Sequence, residues 1–341
     1  MVGKMSFMML AELCDKGSSS LAQKDLLFDS GIYPVYGAAG EITKVDFFHQ
    51  SKPYLGLIKD GAGVGRVMKL PANSSVIGTI QYLFPRENVD LKYLYYLIKY
   101  LDLGKSNTGA TIPHIYFKDY KKRKVKVREY SEQKHIGQTL ELIDSHLSTY
   151  KNILDQYDLL IKSRFVEMFG DITARGRFKV KRWKDILDIL NGRDYKNVLV
   201  NKGGYPVYGS GGIIARASDY ICPAGTIIIG RKGSINNPIL VNEKFWNVDT
   251  AFGIVPKETI NKNYLFYFCK QYNFNRLNKA TTLPSLTKQD LLEIEINIPD
   301  LEKQVKFSRF VDQINKLKSD VQKSINETQL LMDSLMQEYF G

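Results

Sequence analysis

The octapeptide YPVYGAAG that begins at Tyr33 returns, nearly unchanged, as YPVYGSGG at Tyr205, 172 positions further along a chain of 341 residues. A fixed offset marks internal duplication, and it restricts the fold to one that can be built twice. GATIPH, ending at His114, is answered by ATTLPS, ending at Ser285, and FVEMFG, ending at Gly170, by MQEYFG, ending at Gly341. Each half has the same order of parts: a Tyr-Pro-Val-Tyr-Gly turn, a glycine-rich hairpin, a Thr-x-Leu/Ile-Pro loop, a strand and a long helix. The boundaries that follow are lobes over 1–130 and 171–299, with helical segments over 131–170 and 300–341.

Charge separates the lobes from the helices. The net charge is +12, but residues 1–130 carry 19 Lys+Arg against 12 Asp+Glu and residues 171–299 carry 19 against 11. The helical segments are slightly acidic, with 4 against 6 and 6 against 7. Two separate basic lobes suit two phosphate-bearing surfaces, because counterion release favours such contacts. A basic balance that merely aids solubility would produce the same totals. At 44% hydrophobic and 25% charged, the composition is that of a soluble globular chain. The longest apolar run, TIIIG from Thr226, is too short to span a bilayer, and SFMMLAEL lacks the features of a secretory signal. A cytoplasmic location away from membranes is expected. Cys14, Cys222 and Cys269 form no Cys-x-x-Cys pair and the four histidines are scattered, so neither a disulfide framework nor a metal site is expected.

From Ser131 the apolar period changes to three and a half. Ile136, Leu140, Ile143, Leu147, Tyr150, Leu154, Tyr157 and Ile161 follow at spacings of four and three. The second segment supplies Phe307, Val311, Ile314, Lys318, Val321, Ile325, Thr328 and Met332 at matching places, with Lys318 and Thr328 breaking the stripe. Ser131 and Asp300 stand where N-caps are expected. A helix of this pattern needs a partner, and the other copy is available in the same chain. Paired antiparallel, two helices of roughly 57 Å form a spacer with a lobe at each end. Two core helices of one compact domain would share part of this pattern, but continuous heptads and the partition of charge favour the spacer. The expected fold class is α+β, with two pseudo-repeated mixed α/β lobes joined by two long helices in an antiparallel coiled coil.

Within the lobes, PYLGLIK with GAGVGRVMKLP, and GTIIIGRKGSINNPILV, read as hairpins whose tips place Gly beside Lys and Arg. Lys59, Arg66, Arg231 and Lys232 flank turns in which Gly61, Gly63, Gly65 and Gly233 would let backbone N–H groups approach a phosphate. Ser234, Asn236 and Asn237 offer hydrogen bonds to base edges. Glycine-rich basic hairpins also occur in proteins that touch no nucleic acid. In the octapeptide, Val packs inward while Tyr36-Gly37 and Tyr208-Gly209 open turns whose small residues, Ser210 among them, leave room for a large visitor. A buried Tyr closing a β-turn is the alternative. The Thr111–Pro113 and Thr282–Pro284 loops precede a helical turn and a strand, and they bring His114 and Ser285 into the candidate set. Lys122, Lys124 and Lys126 alternate on the first of these strands, and a lysine-protected edge is favoured there over a phosphate stripe, because the second copy is acidic.

Catalytic motifs are missing. Asn237-Pro238 is followed by isoleucine and so makes no amino-methyltransferase motif, GAGVGRVM lacks the third glycine of a dinucleotide fingerprint, and no Gly-Lys-Ser/Thr P-loop occurs. PDLEK at Pro299 spaces its charges wrongly for a nuclease and reads as helix capping.

Taken in order, YPVYG(A/S)(A/G)G, T-x-(I/L)-P, a strand, a helix start bearing Glu132-Gln133 or Glu302-Lys303-Gln304, and a terminal Phe-Gly resemble the specificity subunit of type I restriction-modification enzymes over essentially the whole chain. The resemblance implies two target recognition domains, each reading half of a split asymmetric site in double-stranded DNA. It implies helices that act as a ruler and bind two methyltransferase subunits, with restriction/translocase subunits joining that core. S-adenosylmethionine, ATP and Mg would sit on those partners, and this chain would bind no cofactor and be no enzyme. Little sequence precedes the first recognition segment and none follows Gly341, so an additional terminal helical element is not expected. A recognition subunit of a simpler fused restriction system, and a DNA-binding adaptor or scaffold without methyltransferases, remain as alternatives. The DNA-contact candidates are Tyr36, Gly37, Lys59, Gly61, Gly63, Arg66, Thr111 and His114 in the first lobe. In the second they are Tyr208, Ser210, Arg231, Lys232, Ser234, Asn236, Asn237, Thr282 and Ser285. Helix pairing is assigned to Ile136, Leu140, Ile143, Leu147, Leu154, Phe307, Val311, Ile314, Val321 and Ile325.

Overall fold

A computed structural model describes residues 6–26, 30–106, 113–172, 176–278 and 284–341. The chain divides into two compact units, one of residues 1–151 with 322–341 and one of residues 152–321. Each unit thus owns one lobe, one end of the first long helix (Tyr130–Phe169) and the opposite end of the second (Leu301–Phe340).

The first lobe is built on a four-stranded antiparallel sheet in the order Cys14–Ser18, Ile80–Pro85, Tyr54–Ile58, Val67–Leu70. All five residues of Tyr54–Ile58 are buried, as a central strand covered on both faces requires, which is why YLGLI has no polar alternation. The second lobe repeats the order with Leu187–Asn191, Ala251–Pro256, Thr226–Gly230 and Ile239–Val241, and its central TIIIG is equally buried. In both lobes a short strand pair adds the segment that follows the Pro loop: Ser6–Met9 on Lys124–Val127, and Lys179–Arg182 on Glu295–Ile298. Val125 and Val127 face inward while Lys124 and Lys126 face out, and Lys126 Nζ donates to the Gly341 carbonyl, so the lysines line an edge.

The repeated octapeptide is a bulged strand. Tyr33–Gly37 pairs antiparallel with Gly40–Val45, and its register shifts between Val35 and Tyr36; Tyr205–Gly209 pairs with Gly212–Ala217 and shifts between Val207 and Tyr208. A bulge re-aims the side chain that follows it. Val35 and Val207 are fully buried, and the carbonyls of Tyr36 and Tyr208 accept from the Ile77 and Val248 amides at 3.0 Å, tying down a short parallel strand.

The long helices meet the lobes through one repeated device. In the first lobe the helix Leu91–Leu101 starts at Asp90, whose carboxylate accepts from Tyr93 N at 2.9 Å; Asn261 caps Lys262–Gln271 in the second. The cap's own amide is satisfied from outside. Asp90 N donates to Gln133 Oε1 at 3.0 Å and Asn261 N to Gln304 Oε1 at 2.8 Å, while the Gln133 and Gln304 amides return hydrogen bonds to the Arg128 and Pro299 carbonyls. The first long helix begins at Tyr130, placing Ser131 inside its first turn rather than at the N-cap; the Gln133 backbone N–H donates to the Glu129 carbonyl there.

In the first unit Ile136, Leu140 and Ile143 share a core with Met332, Met336 and Phe340. In the second, Ile161, Phe165 and Phe169 share one with Phe307, Val311 and Ile314. The start of each helix faces the end of the other, so the pair is antiparallel. Leu147 is also buried, whereas Leu154, Val321 and Ile325 are only half-buried. Within the second unit Lys318 Nζ reaches both Asp158 carboxylate oxygens at 2.8 Å, so the polar break in the stripe is an interhelical ion pair.

Candidate nucleic-acid interface

In both lobes the glycine hairpin and the Pro loop come together through backbone hydrogen bonds. Gly61 N donates to the Pro113 carbonyl at 3.0 Å and Ile115 N to the Lys59 carbonyl at 3.0 Å; Gly233 N donates to Pro284 at 3.1 Å and Leu286 N to Arg231 at 2.9 Å. Isolated bridges join Asp60 with His114 and Lys232 with Ser285. Segments far apart in sequence thus form one rim, built the same way twice. Thr111 and Thr282 lie outside the described residues.

The glycines serve this construction. Gly61, Gly63, Gly65 and Gly233 have φ of +80°, +86°, +85° and +76°, which L side chains adopt with strain. The amides of Gly61 and Gly233 are taken by the Pro loops and that of Gly65 by the Ile58 carbonyl, so these N–H groups are spent inside the lobe and not offered to a phosphate. Asn236 is likewise engaged: Oδ1 accepts from Phe274 N at 2.7 Å, and Nδ2 lies 3.4 Å from Asn273 Oδ1. Asn237 and Ser234 are exposed, and Ser210 lies against Gly230 beside that hairpin. Gly37 is buried against Ile42, where a Cβ would stand 2.6 Å from Cδ1. Tyr36 and Tyr208 are half-buried, the latter edge-on to Phe245 at 5.3 Å between centroids. Burial and then the charges of Glu41 and Glu243 push their hydroxyls up, so both stay neutral donors.

The cations at the rim are the groups left over. Among the described residues Lys59, Arg66, Arg231 and Lys232 have no carboxylate partner; Arg66 donates to the Ala38 carbonyl of the octapeptide turn, and the Arg231 guanidinium lies over Phe252, 5.8 Å from its centroid. Lysines toward the long helix are instead paired. Lys69 and Lys92 both bind Glu141, and although burial pushes that carboxyl up, their ammonium groups hold it below the usual carboxylate range. Unpaired cations on an exposed rim keep their full attraction for a polyanion, whereas paired ones have spent it.

Sequence reasoning missed several residues around His114. Its Nδ1 is joined to Asp60 Oδ1, its ring stands 3.9 Å from that of Tyr116, and Lys16, Gln81 and Lys118 gather beside it. Lys118 follows His114 by four residues, but nothing in the sequence places Lys16, on another strand, at the same spot. Among the described residues no His, Cys, Asp and Glu cluster could hold a metal ion, and no helix is long and apolar enough to cross a membrane.

The profile of the type I restriction modification DNA specificity domain matches residues 3–156 and, again, 176–328. The chain belongs to that family. Its two matches fall on the two copies of the repeat, and each contains one complete rim. Among curated relatives, the type I restriction enzyme MjaVIII specificity subunit of Methanocaldococcus jannaschii is 22% identical over 315 residues, covering 76% of this chain and 72% of the relative. A Mycoplasma pneumoniae type I specificity subunit is 29% identical over 158 residues, covering 43% of this chain and about half (51%) of the relative. The fold matches the crystal structure of the type I restriction-modification system S subunit from M. genitalium with a TM-score of 0.71 at 18% identity, over 100% of this chain and 97% of that one. A chain from a structure addressing assembly and conformational transition of the type I system matches at 0.57 and 14% identity, over 99% and 98%.

Proposed function

We propose that this chain is the DNA sequence-specificity subunit of a type I restriction-modification complex, each lobe reading one half of a bipartite, asymmetric target. The observation that carries this reading is the same rim built twice, with unpaired cations in both copies and different side chains at equivalent positions: Asp60 and His114 in one, Lys232 and Ser285 in the other. Cations anchored on a rigid rim hold the phosphate backbone, while exposed side chains such as Asn237 and Ser234 reach base edges. Similar scaffolds with unlike edges read unlike half-sites.

The long helices bind two methyltransferase subunits, and restriction/translocase subunits join that core in the cytoplasm. S-adenosylmethionine, ATP and Mg are used on those partners, and this chain contributes recognition without catalysis. Adenine methylation mapped in cells expressing the chain with its methyltransferase, against cells with the methyltransferase alone, tests the reading. A split asymmetric motif that appears only with the chain is expected. An unchanged methylation pattern would overturn it in favour of an adaptor or scaffold.

A further inference from the structure

Beside His114 the first lobe holds an open cavity of about 320 Å³ whose polar lining comes largely from Lys16, Ser18, Lys59, Gln81 and Lys118. Three elements supply the lysines: the edge strand Cys14–Ser18, the glycine hairpin and the helical turn Phe117–Tyr120. Lys16 Nζ lies 5.9 Å from the Phe117 ring centroid and Lys118 Nζ 5.1 Å from that of Tyr116, so aromatic faces support both ammonium groups. Among the described residues no carboxylate pairs with any of the three. Of the acids next to them in sequence, Asp15 is occupied by Arg86 at 2.6 Å and Asp60 by His114, and Asp119 does not line the cavity. Gln81 is 7% exposed, and its Oε1 accepts from the Tyr120 hydroxyl, which leaves its amide N–H groups as donors. Three ammonium groups, a buried amide and a hydroxyl make a lining of donors with no unpaired acid.

The second lobe is built differently at the same place. Strand register puts Ile189 where the first lobe has Lys16 and Phe252 where it has Gln81. Arg231 covers Phe252, and Lys288 donates to the Ile189 carbonyl at 2.8 Å. The cluster of donors therefore belongs to the first lobe's own chemistry and not to the shared scaffold.

We propose that this cavity is a phosphodiester site, in which one backbone phosphate of DNA bound by the first lobe seats among Lys16, Lys59 and Lys118. The proposal rests on the DNA-recognition reading above. Lys59 and His114 belong both to the cavity and to the rim, so a duplex on the rim passes over it. Flexible, solvent-facing ammonium groups favour a polyanion, which releases counterions, over a small free anion.

The test uses the full chain and measures DNA affinity against salt for wild type, K16A/K118A and K16R/K118R. Lys16 and Lys118 are exposed, so the variants should fold, which thermal unfolding checks. The alanine pair should bind target and non-target duplexes more weakly by a similar factor, and its log K against log salt slope should fall by about 1, the share of a single phosphate; the arginine pair should keep the slope. A scan of single methylphosphonates, which remove one backbone charge each, should find a position that weakens wild type and leaves K16A/K118A unaffected. If wild type binds DNA but the alanine pair keeps its slope, the phosphate site is wrong and the recognition function stands. If wild type binds no duplex even with its methyltransferase, the function itself fails. Sub-millimolar binding of inorganic phosphate that is lost in K16A/K118A, with an unchanged DNA slope, would make the cavity a small-anion site and overturn the proposal.

Discussion

Gly61 and Gly65 hold nearly the same left-handed φ, +80° and +85°, yet their surroundings differ. Nothing stands within 4 Å of the place a Cβ would take at Gly61, whereas at Gly65 it would overlap the backbone of Gly104. Gly61→Ala should therefore cost only conformational strain, about 1 kcal/mol, and Gly65→Ala clearly more, on the order of 3 kcal/mol. Urea unfolding of the two variants measures the difference; equal costs would show that the loop moves freely away from Gly104. The same contrast explains why these loops are hard to read in sequence. A glycine beside an arginine looks like a phosphate cradle, but whether its amide is free depends on a partner such as Pro113 that lies far along the chain. Asn236 shows the same for side chains, since its amide is engaged by Phe274 and Asn273.

At the scale of elements, Gln133 and Gln304 join each lobe to a long helix. Gln133 is 2% exposed and Gln304 fully buried, and each accepts from the amide of a helix cap while donating to a carbonyl of its own approach segment. Gln→Ala at either site leaves a partly buried donor and an acceptor carbonyl unmatched. Each change should cost about 1–3 kcal/mol, and Gln→Glu should cost a similar amount because a carboxylate cannot donate to the second carbonyl. Chemical denaturation that registers no loss would mean that water replaces both bonds. The helices themselves were legible, because a heptad repeat is local and survives without its partner. Their seam was legible at Ile136, Leu140, Phe307 and Val311, which also pack on the lobes, and less so in the middle, where Leu154 and Ile325 stay half-buried. The Lys318 break became intelligible only with Asp158 opposite it. An exposed pair of this kind contributes little stability, typically below about 1 kcal/mol, but it favours one alignment of the two helices.

At the scale of the whole molecule, duplication explains what was legible and what was not. Two copies that retain strand order, octapeptide bulge and glutamine joint reveal the scaffold, because the scaffold is what they share. Where they differ, as at Gln81 against Phe252, a single sequence offers no rule for what each contacts. The same logic makes the lobes exchangeable. The glutamine joint on the second lobe's side links Gln304 of the retained helix to two backbone groups of the lobe, the cap amide at 261 and the carbonyl at 299, so a second lobe that keeps these two groups can be replaced as a block. Exchanging residues 171–299 for the corresponding lobe of another specificity subunit should change one half of the methylated motif and leave the other half and the gap as they were. Methylation mapping of the hybrid with its methyltransferase reads all three at once. A hybrid that folds but changes both half-sites would show that the lobes read DNA jointly, and that the duplication preserves a fold without preserving two independent readers.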